Sequence, residues 1–199
     1  MVEATPPAPA QAQESQLLFA GFDGAVSFMG RWSLSPSTVS QTDQAALTAK
    51  LAIPLAQPRG PLQYTVTARS QGSGWVGLGL HVLVSSAAKH RGWGEGRSIL
   101  VWLTSDPKHR DSLTRLQVYR STSDIDMTME QEVVVPESVF DPNEISVRVD
   151  PVEGQLVVSL NGFERLRCDG FSGLDDGVSV VFRALDRAEF QDFRVEELP

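Results

Sequence analysis

The sequence predicts an all-β protein: a two-sheet antiparallel β-sandwich of the jelly-roll type, with about a dozen strands. Three observations predict it. From Leu17 onward, apolar residues recur with a period of two, which places alternate side chains on opposite faces of a pleated strand. Turn signals punctuate these runs at short, regular intervals. Helical periodicity is almost absent.

Residues 1–15 (MVEATPPAPAQAQES) are rich in Pro, Ala, Gln and Glu, cannot bury apolar surface, and read as a disordered leader or tether. They lack the basic start and apolar run of a secretory signal. A lipid or signal anchor upstream of such a tether is the expectation we carry forward, with the protein outside the cytoplasm as a periplasmic or surface lipoprotein. Residues 16–199 read as one domain, because no linker or internal repeat interrupts them.

Within that domain, Leu62, Tyr64, Val66 and Ala68 alternate with Gln63, Thr65, Thr67 and Arg69, the pattern of a sheet with one wet face. Ile145, Val147 and Val149 predict a second inward row, and Leu156, Val158 and Leu160 a third. Ser35-Pro36-Ser37, Ser105-Asp106-Pro107 and Asp175-Asp176-Gly177 are among the turns between runs. Asn161-Gly162 between two alternating runs predicts a tight hairpin, since both residues tolerate the positive φ of a type I′ turn. At most one short helical turn is expected, near Pro136 to Phe140, where Pro opens the segment and Asp141-Pro142 stops it.

Composition narrows the function classes. Hydrophobic residues make up 41%, enough for a sizeable core, while a net charge of -8 argues against nucleic acid and anionic membrane surfaces as partners. No run of about 20 apolar residues predicts a membrane-spanning helix. Cys168 is the lone cysteine, so neither an internal disulfide nor a thiolate metal cluster is expected, and it reads as a small buried hydrophobe.

Three segments now act together: Val158 to Gly162 (V-x-L-N-G), Leu174 to Val180, and Phe190 to Val195 (F-x-D-F-R-V). With Leu18 to Gly24 and Gly30 to Ser35 they resemble the concanavalin A-like lectin/glucanase superfamily, including laminin G-like and 3-keto-disaccharide hydrolase-type jelly rolls. The resemblance implies the fold. Its motifs are hairpin turns and core rows, shared by enzymes, lectins and adhesion modules, so it does not imply one activity.

Two constellations could carry chemistry. Between Ser123 and Glu132, simple alternation puts Asp124, Asp126, Glu130 and Glu132 on one strand face and Ile125, Met127 and Met129 on the other. This strand resembles the catalytic strand of family 16 glycoside hydrolases, whose retaining chemistry needs two carboxyl groups about 5–5.5 Å apart. Asp124 stands where that pattern has Glu, and Glu130 would lie about 20 Å along an extended strand, which is too far. A catalytic strand, a cation site at Asp124 and Asp126 (calcium being the one cofactor considered), and a solvated face protecting an edge strand all stay open.

The second constellation is the glycine- and tryptophan-rich middle, Gly72 to Leu80 and Lys89 to Arg97. Trp93 between two glycines, beside His90, Glu95 and Arg97, supplies an aromatic platform with charged hydrogen-bonding groups, as a sugar requires. The competing reading is that Trp93 plugs the sandwich and the glycines serve only turns. Trp32, Trp75 and Trp102 are expected to be mainly core, and Arg120 is a further candidate for contacting a polar ligand. The expected function is therefore a non-catalytic binding module recognising a glycan or a cell-envelope partner. The alternatives are a sugar hydrolase or lyase, with acids from Asp124, Asp126, Glu95 or Glu130, and a structural protein of a periplasmic or surface assembly.

Overall fold

The computed structural model describes residues 15–19, 21–86, 92–109 and 111–199; most of the expected leader and His90 lie outside the described residues. The alternating runs form strands: β1 (Gln16–Leu17), β2 (Val26–Met29), β3 (Trp32–Leu34), β4 (Thr38–Gln41) and β5 (Ala49–Gln57). They continue as β6 (Leu62–Ser70), β7 (Val76–Val84), β8 (Ser98–Ser105), β9 (Thr114–Ser121) and β10 (Met127–Val135). The last are β11 (Asn143–Asp150), β12 (Gln155–Leu160), β13 (Phe163–Cys168), β14 (Gly177–Leu185) and β15 (Ala188–Glu197).

These strands build two antiparallel sheets, as predicted. The eight-stranded sheet runs β13-β12-β11-β6-β15-β4-β3, with β1 also paired to β15, and the seven-stranded sheet runs β10-β9-β8-β7-β14-β5-β2. The inward rows expected on β6, β11 and β12 are all buried. They meet Leu78, Leu80, Val101, Leu116, Val118 and Phe182 from the opposite sheet in one core. An aromatic cluster forms in that core, with Phe182 packed 4.8 Å from Phe190 and 5.0 Å from Phe193 between ring centroids.

The Asn161-Gly162 turn forms as read: φ is 52° and 80° at the two residues, and Leu160 pairs with Phe163 across it. No helix forms among the described residues. Pro136 to Phe140 holds only a turn, in which Asp141 N–H donates to Ser138 O at 3.1 Å. Cys168 is buried as expected. Burial pushes its thiol up to about 11, and Sγ reaches Gln131 Oε1 at 2.9 Å.

The seven-stranded sheet departs from the expectation of one wet face. β7 and β8 are buried along their whole length. A second apolar cluster of Leu100, Trp102 and Leu185, with Tyr119 and Met127 against it, covers the outer face of this sheet, away from the main core.

Candidate functional site

The outer face of the seven-stranded sheet carries a cleft of about 440 Å³. Strand pairing builds its floor. Arg183 on β14 faces Gly79 on β7, Gly79 faces Trp102 on β8, and Trp102 faces Gln117 on β9, so these residues form one cross-strand row. Of two glycines in β7, Gly77 makes room for the indole and Gly79 for the backbone of β8. A Cβ at Gly77 would lie 2.1 Å from the Trp102 ring, and one at Gly79 would lie 1.9 Å from Val101 O. Trp102 can therefore lie against the strand, 8% exposed.

The walls come from loops. Trp93 stands on the loop before β8 and is 46% exposed, and Trp75, just before β7, is 42% exposed. Both line the cleft with Asp106 and His109 from the β8–β9 loop and Asp126 from the turn before β10. Trp93 is thus a wall of the cleft. Trp75 corrects the sequence reading of a core residue, and Trp102, though buried, belongs to the outer cluster instead of the main core. Trp32 packs near Phe190, with ring centroids 6.2 Å apart.

Two buried cations hold the Trp93 loop to the sheet. Lys50 on β5 donates to Gly94 O and pairs with Glu95 at 3.0 Å, the two side chains being 0% and 3% exposed. Arg183 donates from Nη1 to Trp93 O, and its guanidinium carbon lies 5.3 Å from the ring centroids of both Trp93 and Trp102. Against the neighbouring turn, Glu95 N–H donates to Ser121 Oγ at 2.8 Å and Gly96 N–H to Asp124 Oδ1 at 3.1 Å. The approach is so close that a Cβ at Gly92 would sit 2.1 Å from Asp124 O and one at Gly94 2.1 Å from Ser123 O. These glycines allow loop-to-turn packing.

His81 on β7 lies fully buried beside these cations. Ser98 Oγ donates to Glu95 O at 2.8 Å, so its lone pair accepts from His81 Nδ1 at 3.0 Å and the ring is the neutral Nδ1–H tautomer. Burial first, then the nearby Arg183 and Lys50 charges, hold its pKa well below the usual 6.5. Below pH 6.5 the unfolded chain takes up a proton that the folded chain refuses, so stability falls as pH falls. The expected slope is about 1.4 kcal/mol per pH unit until the folded pKa is reached. Denaturant titrations of wild type and His81→Gln between pH 7 and 5 check this. Equal slopes in the two proteins would remove His81 as the cause.

The remaining sequence candidates scatter. Glu95 is buried under the loop and does not line the cleft. Arg97 points away from the cleft to an exposed pair with Asp175 at 2.8 Å. Arg120 lies on the face of β9 opposite Tyr119, stacked 4.6 Å from the Phe171 centroid and paired with Glu130 at 2.8 Å. The expectation of one acidic strand face fails on two counts. Asp124 and Asp126 precede β10 in a turn, and a register shift between Met129 and Gln131 breaks the alternation beyond them. Of the four acids considered for hydrolysis, Asp126 alone lines the cleft. Among the described residues no three His, Cys, Asp or Glu side chains gather as a metal site.

Lys50, Arg183, His81, Trp75 and Trp102 were missed as site residues. The signal available was charge within an apolar run: Lys50 in ALTAKLAIPL and Arg183 in VSVVFRALD. A charge in such a row is buried and must be given partners.

The architecture is an all-β jelly-roll sandwich of two antiparallel sheets. No protein-family model matches the chain, and no curated protein matches it in sequence. Among solved structures, it is similar to the carbohydrate binding module CBM66 from Bacillus subtilis, with a TM-score of 0.69 and 12% identity over 90% of this chain and 99% of that one. A protein of unknown function with a galectin-like fold, also from Bacillus subtilis, gives 0.66 and 15% over 95% and 100%. A legume lectin-like domain from Entamoeba histolytica gives 0.62 and 9% over 88% and 90%. At these identities the likeness establishes the fold.

Proposed function

We propose that the chain is a non-catalytic glycan-binding module of the concanavalin A-like superfamily, with its ligand seated in the cleft on the outer face of the seven-stranded sheet. One observation carries this reading: Trp75 and Trp93, each nearly half exposed, wall a cleft whose floor holds Leu100 and Trp102 beside Arg183 and whose rim is charged. Apolar C–H faces of a sugar stack on indoles, while its hydroxyls need the donors and acceptors that Asp106, His109, Gln117 and Asp126 offer. Solved carbohydrate-binding and lectin-like domains of the same fold support the class. In this reading the module works outside the cytoplasm, on a tether, against envelope or environmental glycans.

A glycan array followed by titration of wild type, Trp93→Ala and Trp75→Ala tests it. Each truncation removes an aromatic anchor worth about 2 kcal/mol, roughly a 30-fold loss of affinity. Both side chains are well exposed, so thermal unfolding should stay close to wild type. No binding by wild type, or equal binding by all three proteins, would sink the reading.

A further inference from the structure

We propose that the cleft selects acidic glycans, sugars carrying a carboxylate or sulfate, through Arg183 at its floor. This deepens the glycan-binding reading and rests on it. Arg183 is 3% exposed, yet it lines the cleft. Its guanidinium has five N–H donors. Nη1 serves Trp93 O and touches Met127 Sδ at 3.5 Å, while Nε has no hydrogen-bond partner. Among the described residues Arg183 is in no ion pair, although the buried Glu95 carboxylate acts on it electrostatically. A buried guanidinium left with unused donors is costly unless something supplies the anion.

The other arginine of the cleft is already paired with acids. Arg115 is paired with Asp111 at 2.7 Å and lies 3.7 Å from Glu132. Asp106 Oδ1 accepts from Lys108 N–H at 2.8 Å, and Asp126 Oδ2 accepts from Ser123 Oγ at 3.0 Å. Asp126 is exposed at the rim, where water screens its repulsion of an anion. Arg183 sits below, in the low-dielectric floor between two indoles, where its attraction is screened least. With Nη1 held by Trp93 O and Nε buried, an anionic oxygen of the ligand would meet Arg183 at Nη2, and the flanking indoles would stack the sugar ring that carries it.

The test uses matched pairs of probes on the wild-type protein. Oligogalacturonate is titrated against its fully methyl-esterified form, and a sulfated galactan oligosaccharide against its desulfated parent. At least one acidic member should bind about tenfold more tightly than its neutral partner, since a charge-assisted hydrogen bond is lost in the latter. The pair that discriminates identifies carboxylate or sulfate as the anion. The preference should shrink as salt rises from 50 to about 300 mM. In Arg183→Met, which keeps an unbranched stem, acidic and neutral members should bind within about twofold of one another. Should that variant fail to fold, the matched pairs and salt series on wild type still decide. Neutral members bound as well as acidic ones, or no acidic member bound, would overturn the inference. Trp93-dependent binding of neutral glycans in that case would leave the glycan-binding reading intact, whereas its loss on the array would remove both.

Discussion

Replacing Lys50 with Met is expected to destabilise the protein by about 3–5 kcal/mol, the loss seen when one member of a buried ion pair is removed. The methionine side chain fills much of the lysine stem, so the effect is electrostatic and not a cavity. Lys50 brings the ammonium that faces the Glu95 carboxylate at 3.0 Å and the donor received by Gly94 O, both out of contact with water. Burial lowers the Lys50 pKa, and the Glu95 charge and hydrogen bond oppose that shift. Without the ammonium, Glu95 loses the buried cation that faces it at 3.0 Å. Adding Glu95→Gln to Lys50→Met should therefore recover about 2 kcal/mol, a coupling typical of contacting residues. Urea titrations of the single and double variants provide the cycle. A Lys50→Met cost below about 1 kcal/mol would show that the pair contributes little. Because Glu95 and Gly94 adjoin Trp93, the proposed glycan-binding role implies that the single variant should also bind glycan more weakly and that the double variant should restore part of the binding.

What was legible in the sequence follows from what one strand can encode by itself. Alternation along Leu62 to Ala68 and Ile145 to Val149 marks an inward row wherever the other face is wet, and the structure buries those rows. Asn161-Gly162 is a local turn whose backbone requirement is met by its own two residues. The cleft is different. Its floor is assembled from β7, β8, β9 and β14, and its cross-strand row joins residues from 15 (Trp102 and Gln117) to 104 (Gly79 and Arg183) positions apart. Once the outer cluster covers that face, Leu100 and Trp102 are apolar on the side expected to be wet, and alternation no longer says which row looks inward. Trp93 could be picked out because glycines flank it. Trp75 could not, because it sits at the edge of an apolar run. The acidic segment failed for a local reason: a register shift after Met129 moves Glu130 to the Arg120 side and leaves Glu132 opposite Gln117.

The two glycines of β7 offer the sharpest separation of a site-building from a sheet-building role. Gly77→Ala and Gly79→Ala should each cost about 3 kcal/mol, the upper range for overpacking a filled interior. Their remedies differ. The Cβ of the first would meet the Trp102 ring at 2.1 Å, a side chain that can be trimmed; that of the second would meet Val101 O at 1.9 Å, the backbone of the paired strand. Trp102→Leu should accordingly rescue most of the Gly77→Ala cost and almost none of the Gly79→Ala cost, measured as coupling energies in two double-mutant cycles. Equal rescue of both, or of neither, would mean that Trp102 does not lie on Gly77. Under the proposed function, glycan affinity is a second readout. Gly77→Ala displaces the indole that floors the cleft beside Arg183, so affinity should fall more steeply than stability alone explains, and Trp102→Leu should restore the fold without restoring the affinity. A strand that reads as glycine-weakened in isolation is thus the surface on which the floor of the cleft is laid.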